Sequence, residues 1–350
     1  MLGDLLTKNL FCIHNKFIFV MNQNKFKMKA HSQKLKSLLK IDFPLIMAPM
    51  FLVSNFEMVS EGIKNGIMAT FPSLNYRNDG ELDSVLKKLK SIEGSGNYGV
   101  NLIVQETNPL YRKHLEICLE NEVPFFITSL GNPKEVIEKA HSYGGKVFCD
   151  VTNLKHAEKV KSLGADGFIA VGAGAGGHAG PVALHVMVEK LSALYPDMPI
   201  LAAGGISTGK AMKAMETLGA WGCSVGTRFI ATKEATVQDA YKQAIVDYGM
   251  NDIIMTEKIS GTPCAVIATP YAKKIGTEQG WLERKLNKSK RLKKYFKMLT
   301  QYRGMKKLEK AVKPGNYNNL WSAGQSVAMI DSILSVGDIV KKFKQEFEEA

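Results

Sequence analysis

The sequence predicts an α/β fold, a (β/α)8 barrel with an inserted, mainly helical subdomain on the substrate side. Three observations predict it. Eight short apolar runs alternate with amphipathic stretches between Leu45 and Thr227, glycine or polar residues follow one run after another, and a lysine-rich stretch, Trp281–Val312, then interrupts the pattern. Runs that are apolar throughout suit strands buried on both faces of a parallel sheet. Strands alternating with helices are the signature of such barrels, whose active sites lie at the C-terminal ends of the strands. An open, doubly wound sheet is the rival architecture, because periodicity does not report closure.

The predicted strands are Leu45–Met50, Gly66–Phe71, Tyr98–Val104, Phe125–Leu130, Lys146–Val151, Gly167–Gly172, Ile200–Gly205 and Gly222–Thr227. Helices are predicted over Asn55–Asn65 after Ser54, Leu82–Ile92 after an Asp79-Gly80 turn, Pro109–Glu120 after Asn108, and Pro133–His141 after Asn132. Two more follow over Leu154–Leu163 after Asn153 and Thr208–Leu218 after Ser207. Serine and asparagine cap helix N-termini by accepting from free backbone N–H groups, and proline fits the first helical position. Gly164 and Gly219 supply left-handed C-terminal stops. Residues 325–346 read as a closing helix.

Composition bounds the function. The chain has 350 residues, 45% of them hydrophobic, and a formal charge of +13. That charge is peripheral. Residues 1–41 hold eight lysines against Asp4, residues 273–313 hold fifteen basic side chains against three acids, and the body over 42–272 is slightly acidic. We therefore expect a basic N-terminal extension (1–41), a cofactor-binding barrel (42–272), a basic helical insertion or lid (273–320) and a C-terminal cofactor-side segment with its helix (321–350). The basic segments lack the interleaved aromatic motifs of nucleic-acid modules, so an RNA- or membrane-surface-binding protein is the weakest reading. Cys12, Cys118, Cys149, Cys223 and Cys264 form no CxxC pair, which predicts no metal site and a reduced, cytoplasmic protein. No apolar run reaches membrane-spanning length. Assembly into an oligomer is compatible with the sequence.

If the barrel closes, the strand ends converge on one mouth: Pro49-Met50, Pro72-Ser73, Asn101, Ser129-Leu130-Gly131, Asp150, Gly177-His178, Gly204-Gly205-Ile206-Ser207 and Gly226-Thr227-Arg228. Glycine turns after the seventh and eighth strands are where many barrels seat a phosphate on backbone N–H groups and a helix N-terminus. Gly204 and Gly205 open the backbone, a helix capped by Ser207 aims its positive end inward, and Gly226-Thr227 complete the cradle. No Gly-x-Gly-x-x-Gly follows the first strand, so a Rossmann fingerprint is missing there. The same spacing from Gly172 to Gly177 is followed by Pro181 and has no acidic ribose partner. A phosphate seat beside a flat floor, Ala48-Pro49-Met50, suits flavin mononucleotide (FMN). Asn101 is placed to contact the polar edge of the flavin ring, against the plainer role of capping a strand end.

Taken in order, Ala48-Pro49-Met50, Gly99-Val100-Asn101, Gly164-Ala165-Asp166-Gly167, Ala175-Gly176-Gly177-His178-Ala179-Gly180, Ala203-Gly204-Gly205-Ile206 and Gly226-Thr227-Arg228-Phe229 resemble the nitronate monooxygenases, formerly called 2-nitropropane dioxygenases. The resemblance resumes at Trp321-Ser322-Ala323-Gly324-Gln325. It implies an FMN-dependent TIM barrel with His178 as catalytic residue. It also implies cofactor contacts from Ala48, Pro49, Met50, Asn101, Gly177, Gly204, Gly205, Gly226, Thr227 and Gln325, and no metal. The reaction implied oxidises an alkyl nitronate with O2 to a carbonyl compound and nitrite. Type II enoyl-acyl-carrier-protein reductases, which use NAD(P)H, share most of these motifs and are the alternative. Two departures concern the substrate: the loop before Gly176 lacks the acidic residue often found there, and the fourth-strand turn reads Ser129-Leu130-Gly131-Asn132-Pro133.

Histidine suits the chemistry because it titrates near neutrality. As a neutral base His178 can take a proton beside the nitro group; as a cation it can hold the nitronate. The plainer role is a loop brace. His114, His141 and His156 read as surface residues, and His185 as a packed or solvated helix residue. Cys149 and Cys223 read as inert core, Arg228 as an anion or structural partner, and Tyr317 and Trp321 as residues near the pocket, with core packing preferred for Trp321.

Overall fold

In a computed structural model, the structure describes residues 31–105, 107–259, 262–278, 303 and 320–350. Eight parallel strands close into a barrel in chain order: β1 Leu45–Met47, β2 Met68–Pro72, β3 Asn97–Ile103, β4 Phe125–Ser129, β5 Lys146–Val151, β6 Gly167–Val171, β7 Ile200–Ala203 and β8 Gly222–Val225. Closure is made by β1 against β8, with Leu45 beside Cys223 and Met47 beside Val225. The open-sheet rival is excluded. Every predicted strand is present, with ends shifted by one to three residues, the largest shift being at the end of β1, which stops at Met47 before Ala48-Pro49.

Alternation along each strand builds two cores. Inward-facing Ile46, Met68, Phe125, Ile127, Phe148, Ile169 and Leu201 fill the barrel, while Met47, Val100, Phe126, Val147, Phe168 and Ala202 pack outward against the helices. The floor is closed from an unexpected direction. Residues 31–39 form a helix, α1, whose Leu35 and Leu39 join the barrel interior beside Trp221. His31 stacks on Trp221 with ring centres 4.9 Å apart, and the Ser32 hydroxyl donates to the Glu216 carboxylate. Residues 31–41 therefore belong to the barrel, because its bottom would otherwise open to water.

The outer helices are α2 Phe56–Lys64, α3 Glu81–Lys90, α4 Tyr111–Glu120, α5 Lys134–His141, α6 Leu154–Ser162, α7 Leu184–Leu194 and α8 Gly209–Thr217. Asn153 caps α6 as predicted. Two caps fall one residue later than expected, on Asn55 for α2 and Thr208 for α8. Ser54 is instead spent bracing its own loop. Pro109 precedes α4 rather than opening it, and Asn108 accepts from the Leu110 N–H. His141, His156 and His185 are exposed, but His114 is buried on the inner face of α4. Burial, with Lys113 adding to it, holds its ring neutral down to about pH 4.

Beyond the barrel come α9 Thr227–Ile230, α10 Asp239–Asp247, a hairpin of β9 Ile253–Thr256 with β10 Cys264–Ile267, and α11 Pro270–Ile275. The expected closing helix is two elements, a 3-10 turn at Gln325–Met329 and a helix, α12, at Val336–Glu349. The break has a local cause: Ser335 accepts from the Asp338 N–H and restarts the helix. Phe343 and Phe347 of α12 pack on the barrel wall, Phe347 edge-on to Phe43. Arg228 is buried, donates to the Ser332 carbonyl at 3.0 Å, and so ties the barrel to this C-terminal segment. Of the helical insertion expected over 273–320, residues 279–302 and 304–319, Tyr317 among them, lie outside the described residues. No helix among the described residues is long and apolar enough to cross a membrane.

Two predictions follow from burial. Leu35→Ala should lower stability by about 2–5 kcal/mol, read as a lower urea midpoint. His114 in the unfolded chain takes up a proton near pH 6.5, whereas the folded ring resists until about pH 4. Stability should therefore fall as pH drops from 6.5 to 4, and His114→Gln should flatten that part of the pH–stability curve.

Candidate active site

The mouth is built first by the loop after β1. Ala48 donates its N–H to the Val225 carbonyl at 2.8 Å, which extends the β1–β8 seam by one rung. Ser54 Oγ accepts from the Met50 N–H at 2.9 Å and donates to the Ala48 carbonyl. Asn75 completes the brace, accepting from the Leu52 N–H and donating to the Met50 and Ser54 carbonyls. Ala48, Pro49 and Met50 thus form a fixed, partly exposed floor beside Gly226.

The glycine loop after β6 sits against two other backbones. A methyl placed on Gly204 would lie 2.7 Å from the Ala175 nitrogen, and one on Gly176 would lie 2.8 Å from the Gly324 nitrogen. One on Gly324 would run into the Gly174 carbonyl. Only bare glycine backbone allows three loops to approach this closely. The β9–β10 hairpin then clamps the loop. Gly177 donates to the Ala265 carbonyl at 3.1 Å and Ala265 returns a bond to the Gly177 carbonyl at 2.7 Å. His178, the next residue, is exposed on the clamped loop.

Gly204 and Gly205 adopt φ of +111° and +75°, turning the chain between β7 and α8. Thr208 caps α8, accepting from the Ala211 N–H at 3.1 Å. Ser207 is therefore released from the capping role expected of it, and its buried hydroxyl has no partner. An orphaned hydroxyl between two glycine turns and a helix N-terminus is the chemistry of an anion seat. Thr227 is buried; its oxygen accepts from the Gly324 N–H at 3.0 Å, leaving its proton to donate. Gln325 follows Gly324 directly and is exposed. The donors present fit a phosphate group.

The opposite side of the mouth carries a row that the sequence located but did not join. Asn101 donates to Ser129 Oγ at 2.8 Å and to the Ile127 carbonyl at 3.2 Å, and Ser129 donates to Asp150 at 2.5 Å. Burial drives the Asp150 carboxyl up to about 6, against the lowering effect of the Ser129 bond. Strand alternation carried the missed signal, since Ser129 and Asp150 stand two places beyond inward-facing Ile127 and Phe148. Trp321 is a core residue, stacked on Tyr241 at 5.2 Å. Cys149 and Cys223 are buried, and burial raises both thiols well above their ordinary range. No metal-binding cluster of His, Cys, Asp or Glu occurs among the described residues.

A closed barrel with glycine turns and an unpartnered serine hydroxyl after β7, a partly exposed floor after β1 and a histidine-bearing glycine loop after β6 is the architecture of a barrel enzyme. A model of the nitronate monooxygenase family matches residues 32–346. The chain belongs to that FMN-dependent family and is one of its flavin oxidoreductases. A Rhodococcus jostii protein named (3aS,4S,5R,7aS)-5-hydroxy-7a-methyl-1-oxo-octahydro-1H-indene-4-carboxyl-CoA dehydrogenase is 31% identical over 279 residues, 78% of this chain and 74% of that protein. A probable nitronate monooxygenase of Staphylococcus aureus is 24% identical over 71% of this chain and 82% of its own length. FabK from Thermotoga maritima superposes with a TM-score of 0.78 at 29% identity, covering 90% of this chain and 96% of that one.

The clamp generates a test. Ala265→Pro removes the N–H that holds the Gly177 carbonyl, so hydrogen–deuterium exchange over residues 172–180 should rise while the barrel strands stay protected.

Proposed function

We propose that this chain is an FMN-dependent oxidoreductase acting at the carbon beside the carbonyl of an acyl thioester, with His178 as its acid–base residue. The observation that carries the choice of substrate is Asp150. Its carboxyl lies in the mouth, is pushed up to about 6 by burial and has no cationic partner among the described residues, so it is charged at neutral pH. A second negative charge, such as a nitronate, is disfavoured in a partly enclosed site, whereas a neutral thioester is not repelled. The loop Val171-Gly172-Ala173-Gly174-Ala175 lacks the acidic residue often found before Gly176 in the family, which also separates this mouth from the nitronate pattern. The relative named as a coenzyme A dehydrogenase supports the same reading. So does the basic 273–313 sequence, which suits the phosphates of a coenzyme or an acidic carrier protein.

In this reading the backbone N–H groups at Gly204, Gly205 and Gly226, with the Ser207 and Thr227 hydroxyls, hold the FMN phosphate. Ala48, Pro49 and Met50 support the ring, Asn101 contacts its polar edge, and Gly177 and Gln325 border it. Bound FMN supplies the two-electron acceptor or donor that side chains lack. His178 exchanges the proton at the carbon next to the carbonyl, a role open to it because the clamped loop presents it to solvent at the mouth.

The second reading is nitronate oxidation by O2 to a carbonyl compound and nitrite, which the family model and the S. aureus relative favour. Anaerobic bleaching of the yellow holoprotein by an acyl-CoA, or by NADPH with reoxidation by an enoyl thioester, is the outcome expected here. Nitronate-dependent O2 uptake without any thioester response would establish the second reading instead. In either case His178→Asn should keep FMN bound and lower kcat by about 10²–10⁴-fold; unchanged turnover would remove His178 from its role.

A further inference from the structure

We infer that Asp150, acting through Ser129, is a positioning residue that turns the Asn101 carbonyl oxygen toward the mouth and sets a fixed negative charge beside the bound flavin. The inference rests on the FMN reading above and assigns residues which that reading leaves without a role.

The order of donors leaves one arrangement. The Ile127 carbonyl and an ionised Asp150 can only accept hydrogen bonds. Ser129 has one proton, and Asp150 takes it at 2.5 Å. The Ser129 oxygen must then accept from Asn101 at 2.8 Å, while the second amide proton of Asn101 goes to Ile127 at 3.2 Å. Both N–H groups of Asn101 are spent inside the wall. Its Oδ1 makes no hydrogen bond among the described residues and is not one of the buried, unpartnered atoms, so on a largely buried residue it is the atom left accessible. An accessible acceptor with no protein donor suits the N–H on the polar edge of a flavin ring. Without the Ser129 bridge the amide keeps only the longer bond to Ile127 and is held less firmly with this face outward.

The second part concerns charge. Among the described residues Asp150 accepts one side-chain hydrogen bond, from Ser129, and makes no ion pair. On β4 the residues are Phe-Phe-Ile-Thr-Ser and on β6 Gly-Phe-Ile-Ala-Val, so neither neighbouring strand offers a titratable group. On β5 itself, Lys146 pairs with Asp166 and Cys149 accepts from Thr128 on β4. The inward residues across the barrel, Ile46, Met68 and Leu201, are apolar. Among the residues assigned to the mouth the other titratable ones are His178, on the loop after β6, and Arg228, whose buried guanidinium donates to the Ser332 carbonyl and faces Asp331 and Glu346. A carboxylate this poorly compensated disfavours the extra electrons of a reduced flavin, and so lowers its midpoint potential.

The test uses the full-length holoprotein, with readouts separate from turnover. Asp150→Asn, with Asp150→Ser as a second variant should the first not fold, is expected to raise the midpoint potential of bound FMN at pH 8. The difference from the native protein should shrink towards pH 5, as the native carboxyl takes up its proton. In the apoprotein the same variant should be more stable than the native chain at pH 8. That gain should fade as pH falls through 6, because a carboxyl whose folded pKa is raised loses stability as pH rises through that value. Ser129→Ala should weaken FMN binding roughly 3- to 10-fold, the size of one hydrogen bond, and Ser129→Thr should restore it. A midpoint potential the same in Asp150→Asn and the native protein at pH 8, or FMN affinity unchanged in Ser129→Ala, overturns the inference and leaves the FMN reading standing. A native protein that binds no FMN overturns the reading beneath it.

Discussion

The seam between β1 and β8 is the constraint on which the rest of this molecule depends. An eight-stranded parallel sheet has no free edge once Leu45–Met47 pairs with Cys223–Val225, and every strand is then buried on both faces. The seam also sets the mouth. Its last rung, from the Ala48 N–H to the Val225 carbonyl, brings the floor of the mouth beside Gly226, although the two are far apart in the chain. The floor helix α1 and the C-terminal helix α12 both act on this closed unit, one plugging its bottom and the other bracing its wall.

Around the mouth the chain divides the work between backbone and side chains. From β6 to β8 the contacts are backbone on backbone: Gly174, Gly176, Gly204 and Gly324 let three loops meet at distances that a methyl group would forbid. The Ser207 hydroxyl, buried beside the Gly204-Gly205 turn, is left without a hydrogen-bond partner. From β3 to β5 the contacts are side-chain hydrogen bonds among Asn101, Ser129 and Asp150. One half seats negative charge and the other carries it, so a ligand with an anionic tail and a polar ring edge has one orientation that satisfies both.

The histidine loop joins the two halves, and its position depends on parts of the chain remote in sequence. The β9–β10 hairpin holds Gly177 through two backbone bonds, and the 321–324 segment packs on the loop's other side. The proposed acid–base residue is therefore placed by elements that carry no chemistry themselves. This is the usual division in barrels, where loops act and the scaffold positions them.

The sequence alone determined the eight strands, most of the helices between them, the glycine turns and His178, because each is written locally. An apolar run between turn signals identifies a buried strand wherever its partners lie, and a glycine-dense loop is recognisable without them. The tertiary structure decided whatever depends on partners distant in the chain. It moved residues 31–41 into the barrel floor, because only the closed barrel has a floor to fill. It buried His114, because the inner face of α4 is defined by the strands it covers. It freed the Ser207 hydroxyl by giving its cap to Thr208, and it joined Asn101, Ser129 and Asp150 into one row. Those three residues stand 28 and 21 positions apart, and strand register, which no local pattern records, is what brings them within hydrogen-bonding distance.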